Sequence, residues 1–333
     1  ARRYARDLVA GQLASGGNAY AAKSLCRLAQ LAKGRGLRSL CLEWTERATE
    51  IAPEDGWAHG QRADAYLYYG RLDEAQEEFR RAYNLGERFF GLTGAVRILI
   101  ARAEFDKALQ EIRRIKFEFA TQEDGYVSWT LEAEILRSMW RLEEALGVYE
   151  DGAKRFSEKD ILQCGRAAVL AQMGRLSDAI GAYTDCIDML GASAPALSGR
   201  AHVLLEMGSF DEGVKEYKKA VELFPNEHVA QCGFAEALKI SGEYKESLLA
   251  YDSARKAFPF IPVSVSGHAE VLKDLGEYDQ ALSEYDVAIK RFPYDSHLAN
   301  GRASVLRLMG KFEEALAAYD AASARFPFDL ITA

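Results

Sequence analysis

Residues 276–293 read GEYDQALSEYDVAIKRFP, and the closely similar stretch GKFEEALAAYDAASARFP occupies residues 310–327, 34 residues further along the chain. Each stretch begins with a glycine, followed by a small residue and then by an aromatic residue at fixed distances. The glycines of this series are Gly174, Gly208, Gly242, Gly276 and Gly310, and the period continues upstream to Gly70 and Gly36. A fixed period of this length predicts a chain of repeated supersecondary units.

Each repeat is predicted to form two helices joined by a turn. Apolar residues such as Leu306 and Phe312 recur at helical spacing on both sides of Gly310. The glycine provides the turn after the first helix, and small side chains such as Ala303 and Ala315 allow the paired helices to approach closely. Prolines end most of the second helices, at Pro53, Pro225, Pro259, Pro293 and Pro327.

This pattern resembles the tetratricopeptide repeat, which has a small residue in the first helix, Ala-x3-aromatic in the second helix and a terminal proline. The resemblance spans nearly the whole chain. It implies an all-α fold, an α-α superhelical solenoid of about nine helix-turn-helix repeats. The repeats begin near Ala22, Gly56, Phe89, Tyr126, Asp160, Ala194, His228, Pro262 and Ser296.

Two repeats depart from the pattern. Ala103 and Trp140 stand where the third and fourth repeats should have the turn glycine, and the two residues lie 37 positions apart instead of 34. The extra residues fall in segment 116–126 (KFEFATQEDGY). We expect an altered turn or a longer helix there, with a local change in the path of the superhelix.

The repeat pattern predicts four segments along the chain. Residues 1–21 are expected to be a helical remnant of an upstream element, 22–125 to form repeats 1 to 3, 126–329 to form repeats 4 to 9, and 330–333 to start a further repeat. Neither end has the polar terminal helix with which solenoids normally finish. Together with an initial alanine, this favours a piece of a longer protein.

Composition excludes several classes of protein. The 333 residues carry 42 basic and 50 acidic side chains, and the net charge of -8 gives no general attraction to nucleic acid or anionic membranes. No apolar run is long enough to span a membrane and no signal peptide is recognisable, which favours a cytoplasmic location. The five cysteines form no CxxC pair and are expected to behave as reduced, small apolar residues.

Motifs for catalysis or cofactor binding are weak. Residues 17–24 (GNAYAAKS) nearly match a phosphate-binding loop, but an alanine replaces its second glycine and the segment has a helical pattern. The histidines lack the spacing of zinc ligands. Adjacent carboxylates such as Glu313 and Glu314 indicate a solvated helix face rather than an acid and base pair. We therefore predict no enzyme activity, no cofactor and no metal site.

The resemblance implies a partner site on the concave surface, which certain first-helix positions of tetratricopeptide repeats tend to face. In the amino-terminal repeats these positions hold Trp57, Gln61, Asp64, Tyr68, Phe90, Arg97, Glu134 and Arg137. In the carboxyl-terminal repeats the ninth, twelfth and thirteenth positions hold His202, Glu206, Glu236, Lys239, Glu270, Lys273, Asp274 and Arg307. Aromatic and arginine side chains carry much of the free energy of protein recognition. The aromatic residues can equally pack against the neighbouring repeat.

Small residues occupy the fifth and sixth positions of the later repeats, in the pairs Cys164-Gly165, Ser198-Gly199, Cys232-Gly233, Ser266-Gly267 and Asn300-Gly301. These pairs would form a smooth groove floor. A glycine allows another backbone to come close, either that of a bound peptide or that of the adjacent helix. The recurrence of glycine with the packing period favours the adjacent helix.

Position seven, which is usually apolar in the family, holds Arg62, Arg166, Arg200 and Arg302 in four repeats. A long arginine stem covers apolar surface while its charged group reaches an acidic partner. We predict that Arg302 pairs with an acid on its own second helix, Asp320. A guanidinium group pointing freely into the groove would instead make these arginines ligand contacts.

The leading hypothesis is a non-catalytic scaffold that binds a protein or peptide, or another domain of its parent protein. Bacterial arrays that resemble this one are often attached to signalling, secretion or defence effectors, which implies a sensor or adaptor role. The alternative is a structural array that assembles into homo-oligomers. An enzyme segment is less favoured, and so is nucleic-acid binding, although one basic stretch deserves a test. It comprises Arg97, Arg102, Lys107, Arg113, Arg114 and Lys116.

Overall fold

The structure, a computed structural model, describes residues 7, 9–12, 17–293 and 295–325. Regular secondary structure in these ranges is entirely helical, which confirms the predicted all-α class. The chain divides into two compact bodies, an amino-terminal body up to Ala182 and a carboxyl-terminal body from Tyr183. The predicted further repeat at 330–333 and much of the predicted remnant at 1–21 lie outside the described residues.

Helix pairs build the amino-terminal body. In chain order its helices are α1 (Asn18–Gly34), α2 (Arg38–Ile51), α3 (Gly56–Tyr68), α4 (Leu72–Asn84), α5 (Arg88–Ala101), α6 (Phe105–Glu118), α7 (Tyr126–Ser138), α8 (Leu142–Arg155) and α9 (Asp160–Gln172). A short 3-10 helix, Glu123–Gly125, lies between α6 and α7. Odd-numbered helices are the first helices of their repeats, and even-numbered helices are the second helices.

The same alternation continues through the carboxyl-terminal body. Helix α10 (Leu176–Leu190) contains the division between the bodies. It is followed by α11 (Ala194–Glu206), α12 (Phe210–Leu223), α13 (His228–Ile240), α14 (Tyr244–Ala257), α15 (Val263–Asp274), α16 (Tyr278–Arg291), α17 (Ser296–Leu308) and α18 (Phe312–Arg325). From repeat 2 onward the first helices begin within one residue of the predicted starts, whereas α1 begins at Asn18, four residues before Ala22.

Within each body, consecutive helices pack against one another, and the first helices of neighbouring repeats also make contact. The first-helix contacts are α1 with α3, α3 with α5, α5 with α7 and α7 with α9, then α11 with α13, α13 with α15 and α15 with α17. Second helices reach neighbouring repeats mainly through the first helices between them. The first helices therefore form the inner face of each body.

The turns between paired helices depend on a left-handed backbone. The seven predicted turn glycines have φ values between 69° and 82°. Ala103 and Trp140 adopt the same conformation, with φ values of 57° and 58°. This conformation costs a residue other than glycine roughly 1–2 kcal/mol. The turn is thus kept at these two positions in spite of its conformational cost.

The three extra residues between repeats 3 and 4 lengthen a connection and not a helix. Helix α6 has 14 residues, as do the second helices α8 and α12. The chain after Glu118 forms a turn and the 3-10 helix Glu123–Gly125 before α7 begins. Of the two expectations for this segment, the altered turn is the one observed.

In repeat 3 and in repeats 5 to 9, a glycine of the first helix contacts the aromatic ring of the preceding second helix. A Cβ atom placed on Gly267 would lie 2.3 Å from the ring of Tyr251, and one on Gly301 would lie 2.5 Å from the ring of Tyr285. The same contact pairs Gly94 with Phe79, Gly165 with Tyr149, Gly199 with Tyr183 and Gly233 with Tyr217. The adjacent helix, and not a bound peptide, explains these glycines.

At the contact between repeats 3 and 4, the smaller side chain is on the second helix and the larger one is on the first helix that follows. Ile112 replaces the aromatic residue of the second helix, and Leu131 replaces the glycine of the following first helix. Both side chains are buried. Because protein interiors are closely packed, a smaller residue at one position leaves room for a larger one at the other.

Candidate partner-binding surface

Positions nine and twelve of the first helices place charges on the inner face of the amino-terminal body. The Lys33 ammonium group of α1 donates to Oδ2 of Asp64 on α3 at 2.8 Å. Arg97 of α5 donates to the other carboxylate oxygen of Asp64. These ion pairs connect the first helices of three consecutive repeats. They bring together the predicted residues Asp64 and Arg97, and they add Lys33.

The Asp64 side chain is only 17% exposed. Burial by itself raises the pKa of a carboxyl group, but the charges of Arg97 and Lys33 outweigh this effect and hold the pKa of Asp64 below its ordinary value of 3.8. Asp64 is therefore ionised at neutral pH, and both neighbouring cations are committed to it.

Two further predicted residues lie beside this cluster. Gln61 accepts a hydrogen bond from the Gln30 amide of α1 at 2.7 Å. The Tyr68 ring is 56% exposed, and the Lys33 ammonium group lies 5.5 Å from its centroid. Tyr68 is thus the aromatic group that the amino-terminal body presents most openly among the predicted residues.

Trp57 and Phe90 are half-buried at contacts between repeats. Trp57 packs against the core of repeat 1, which includes Trp44. The Phe90 ring lies 5.9 Å from that of Phe79 and also contacts Gly60. Both aromatic residues therefore contribute to packing between neighbouring repeats.

Two more charged residues of the predicted set, Glu134 and Arg137, lie on α7, the first helix of the next repeat. Desolvation raises the pKa of the Glu134 carboxyl group above its ordinary value, although the positive charges of Arg137 and Arg97 oppose the shift. Arg137 also donates to Gln172 of α9 at 3.2 Å. Charges of alternating sign thus extend along the inner face of this body and largely compensate one another.

In the carboxyl-terminal body the position-nine carboxylates are bonded within their own repeat. The Tyr251 hydroxyl of α14 donates to Oε2 of Glu236 on α13 at 2.8 Å. The Lys239 ammonium group lies 2.7 Å from Oε1 of the same carboxylate. Glu236 is thus held between a phenol and an ammonium group, which fixes its orientation.

The next repeat contains the same arrangement. The Tyr285 hydroxyl of α16 donates to Oε1 of Glu270 on α15 at 2.6 Å, and Lys273 pairs with Oε2. Burial, followed by the adjacent carboxylates, raises the pKa of Tyr285 and of Tyr251 far above the ordinary tyrosine value. Both phenols therefore stay neutral and keep donating. We call these two sets the Tyr-Glu-Lys triads.

A groove of about 490 Å³ lies on the inner face over α13 and α15. Its lining includes Glu236, Lys239 and Glu270 from the predicted set. Small residues provide its floor, namely Cys232, Gly233, Ser266 and Gly267. Three of the five predicted residues of repeats 7 and 8 are thus brought together around one groove, and Lys273 and Asp274 follow Glu270 on α15 outside its lining.

The predicted residues of repeats 6 and 9 lie apart from the groove. His202 on α11 is exposed, and its ring nitrogen lies 3.4 Å from Glu206 one helical turn later. Arg307 is exposed in the last turn of α17.

Arginine and histidine side chains at position seven lie between second helices. Arg200 on α11 donates to Thr184 of α10 at 3.1 Å and to Glu216 of α12 at 2.6 Å. His268, at position seven of repeat 8, has Nδ1 at 2.9 Å from Glu284 of α16. Side chains at position seven therefore form hydrogen bonds with residues of the second helices.

Arg302 pairs with an acid, as predicted, but the predicted partner is wrong. Its Nε donates to Asp286 of the preceding second helix, α16, at 2.6 Å. Asp320 lies on α18, the second helix of the same repeat. The residue of α18 that corresponds to the Arg200 partner Glu216 is Ala318, which has no acceptor. The acid is consequently supplied by the helix before Arg302 and not by the helix after it.

Other sequence features have structural explanations. Residues 18–24 form the start of α1, so no phosphate-binding loop exists there. Each cation of the basic stretch has a carboxylate partner, the acids being Asp64, Asp73, Glu104, Glu111 and Glu132. Among the described residues, no three His, Cys, Asp or Glu side chains form a group able to hold a metal ion.

The cysteines and the helices also bear on the expectations about thiol chemistry and membrane spans. All five cysteines are buried and lie outside any disulfide bond. Burial raises the pKa of the Cys232 thiol, on the groove floor, to about 11, so this thiol is unreactive at neutral pH. Within the described ranges, each helix is either too short or too polar to cross a bilayer.

Sequence reasoning missed two valines of the groove. Val229 and Val263 are 58% and 52% exposed, and both line the groove. They occupy position two of repeats 7 and 8, the same position that holds Trp57 in repeat 2. Applying that position to the later repeats would have found them.

Comparison with known proteins agrees with this architecture. Residues 199–262 and 267–329 match the family model described as tetratricopeptide repeat. Among solved structures, a tetratricopeptide repeat protein from Parabacteroides merdae ATCC 43184 is similar, with a TM-score of 0.55 and 17% sequence identity. The match covers 72% of this chain and 94% of that chain. No curated protein matches the sequence. At this identity the structural likeness establishes the fold alone.

Proposed function

Because the chain is a tetratricopeptide-repeat protein, we propose that it is a non-catalytic scaffold that binds a protein or peptide on the inner face of its carboxyl-terminal body. Proteins with this fold are in general scaffolds for protein interactions. The observation that carries the proposal is the groove of about 490 Å³ over α13 and α15. It combines apolar surface with a few fixed polar groups, as binding sites typically do.

The contrast with the amino-terminal body supports this choice of face. There, Asp64 and Arg97 are committed to ion pairs between repeats, Trp57 and Phe90 are half-buried, and Tyr68 is the one predicted aromatic residue that is more than half exposed. In the groove, by comparison, Val229 and Val263 are more than half exposed. Exposed apolar side chains beside fixed charges are the arrangement that a partner can desolvate with a gain in free energy.

The proposal can be tested by selecting peptides from a phage-displayed library of random dodecapeptides on the immobilised chain. Val229→Asp/Val263→Asp places two charges in the groove at exposed positions, so the fold is not affected. We expect selected peptides to lose at least about tenfold in affinity for this variant, which corresponds to about 1.4 kcal/mol.

The matched control is Leu249→Asp/Val287→Asp. These aliphatic residues are 67% and 64% exposed, and they lie on the second helices α14 and α16. The control should bind the selected peptides like the unmodified chain. Failure to select any peptide, or equal binding by the groove variant and the control, would contradict a partner site in the groove. The cytoplasmic location and the larger signalling, secretion or defence protein stay predictions.

A further inference from the structure

The glutamate side chains of the two triads are more exposed than the lysine side chains with which they pair. The Glu236 and Glu270 side chains are 39% and 30% exposed, whereas those of Lys239 and Lys273 are each 18% exposed. In each triad the glutamate side chain is thus the more exposed partner of the ion pair. A ligand in the groove therefore meets negative charge first.

The two carboxylates flank one phenol. The Tyr251 hydroxyl donates to Glu236, and the charge of Glu270 in the next repeat also acts on it. The exposed Asp274, one turn after Glu270 on α15, adds a third negative charge at this end. A single cationic group placed over Tyr251 would thus face two oriented carboxylates, and charge-assisted hydrogen bonds are stronger than neutral ones.

The opposite end of the groove is apolar. Val229 and Val263 precede Glu236 and Glu270 by seven residues on the same helices. Seven residues of α-helix correspond to about 10 Å, so the valines and the carboxylates are separated by two turns on the same face. An extended peptide rises about 3.3 Å per residue and covers this distance in about three residues.

We propose that the groove recognises an extended peptide segment with a lysine or arginine between Glu236 and Glu270 and an aliphatic residue about three positions away against Val229 and Val263. This inference rests on the proposed function and specifies the chemistry of its partner. An acidic segment fits less well, because it would have to draw Lys239 and Lys273 away from the carboxylates with which they are paired.

The test uses the peptides from the selection described above that depend on the groove. We expect enrichment of lysine and arginine over the unselected library, with an aliphatic residue two to four positions away. In each such peptide, replacement of the basic residue by glutamine should lower the affinity for the unmodified chain at least about tenfold. The same replacement should have little effect on binding to the Glu236→Gln/Glu270→Gln variant, because the carboxylates it would engage are gone.

The matched control is Glu222→Gln/Glu246→Gln, which removes two exposed carboxylates from the second helices α12 and α14. With this control the full loss on replacing the basic residue should remain. Circular dichroism of each variant verifies that the helices are intact.

The outcomes separate the inference from the proposed function. Groove-dependent peptides without enrichment of basic residues would overturn the inference while the binding site stands. Enrichment of aspartate and glutamate, with binding lost in Lys239→Met/Lys273→Met, would replace it by recognition of an acidic segment. Equal affinity of a basic peptide for the unmodified chain and for Glu236→Gln/Glu270→Gln would also overturn it. Absence of any groove-dependent peptide would contradict both proposals.

Discussion

The two bodies of the chain use charged residues at the same repeat positions in different ways. In the amino-terminal body, Lys33, Asp64 and Arg97 pair from one repeat to the next. In the carboxyl-terminal body, Glu236 pairs with Lys239 on its own helix and with Tyr251 of its own repeat. The first pattern fastens repeats to each other, and the second fixes each carboxylate within one repeat.

This difference decides which inner face stays available. Ion pairs that cross from α1 to α3 and α5 cover the space between the first helices with side chains. The triads leave the space between α13 and α15 as an open groove. A position that faces the inner surface is therefore a candidate contact only if neighbouring repeats do not already use it.

The largest effect is expected from a glycine junction of the carboxyl-terminal body. Gly267→Ala would place a methyl group 2.3 Å from the Tyr251 ring, whose hydroxyl is fixed by Glu236. Overpacking of this kind costs about 2–3 kcal/mol. Urea unfolding followed by circular dichroism would measure the loss.

Gly147→Ala on α8 of the amino-terminal body is the matched control. Nothing lies within 4 Å of a Cβ atom at this helical position. Alanine there should stabilise the chain by about 0.5–1 kcal/mol, since it is the better helix former. Equal effects of the two substitutions would show that the contact with Tyr251 does not control the junction.

The second prediction compares the two kinds of ion pair. Asp64→Asn leaves two cations of neighbouring repeats without their anion and should cost about 1–2 kcal/mol, reduced from the value for a fully buried pair because Arg97 is 37% exposed. Glu236→Gln removes a carboxylate whose side chain is more exposed than that of Asp64 and whose pair lies within one repeat, and it should cost less than about 1 kcal/mol. A larger loss for Glu236→Gln would reverse the comparison.

Tryptophan fluorescence reports Asp64→Asn selectively, because all four tryptophans, Trp44, Trp57, Trp129 and Trp140, lie in the amino-terminal body. The pKa of Asp64 is lowered in the folded chain, so its stabilisation is present above the ordinary value of 3.8. It is lost as the pH falls through the lower folded pKa. The difference between the variant and the unmodified chain should vanish in that acidic range.

The third prediction concerns the turn at Trp140 of the amino-terminal body. Replacing Trp140 by glycine gives this turn the residue found at the turns of the carboxyl-terminal body. Trp140 has a φ of 58° and its side chain is 73% exposed, so its replacement removes strain and little packing. Trp140→Gly should stabilise this body by up to about 1 kcal/mol. Urea unfolding followed by the remaining tryptophans measures the gain, and a clear loss would show that the indole ring makes a stabilising contact.

The smallest effect concerns His59, a buried histidine on α3 of the amino-terminal body. His59 Nδ1 lies 2.6 Å from Glu78 and Nε2 lies 2.9 Å from the Pro53 carbonyl. The hydrogen bond with Glu78 raises the pKa of His59 above 6.5, although burial and Arg81 oppose the shift. The corresponding positions of repeats 6 to 8 hold Leu197, Gln231 and Val265.

The sign of the pH dependence follows from the raised pKa of His59. Its stabilisation is fully present below about pH 6.5 and is lost as the pH rises through the folded pKa. One linked proton limits the slope to about 1.4 kcal/mol per pH unit. Urea titrations read by tryptophan fluorescence should show this slope in the unmodified chain and lose it in His59→Gln. A slope that persists in the variant would assign it to another group.

Much of the fold can be predicted from the sequence because the residues that recur every 34 positions determine the turns and the helix contacts. The turn at Gly310 and its equivalents needs a left-handed conformation that favours glycine, and the pattern of small and aromatic residues marks the helix contacts. The same logic identified the contact of Gly267 with the adjacent helix. Both features depend on neighbours at a fixed separation along the chain.

Partner choice was harder to predict because every repeat has a neighbour on each side. Position seven of repeat 9 could reach a second helix before or after it, and only the structure shows that Arg302 uses Asp286. In the same way, the inward position of Asp64 could be read from its place in the repeat, but its two partners could not. Such choices depend on distances between repeats, which the period alone does not contain.

The contact between glycine and tyrosine has a direction along the chain. Each ring, such as that of Tyr251, fills a space that only the next first helix offers, through Gly267. A cut between α14 and α15 separates the two partners, whereas a cut at the turn after Asp274, between α15 and α16, keeps every such pair together. The unit that keeps this contact intact is therefore a second helix together with the first helix that follows it. This unit is offset by half a period from the sequence repeat, and it is the one to exchange in chimaeras or to duplicate.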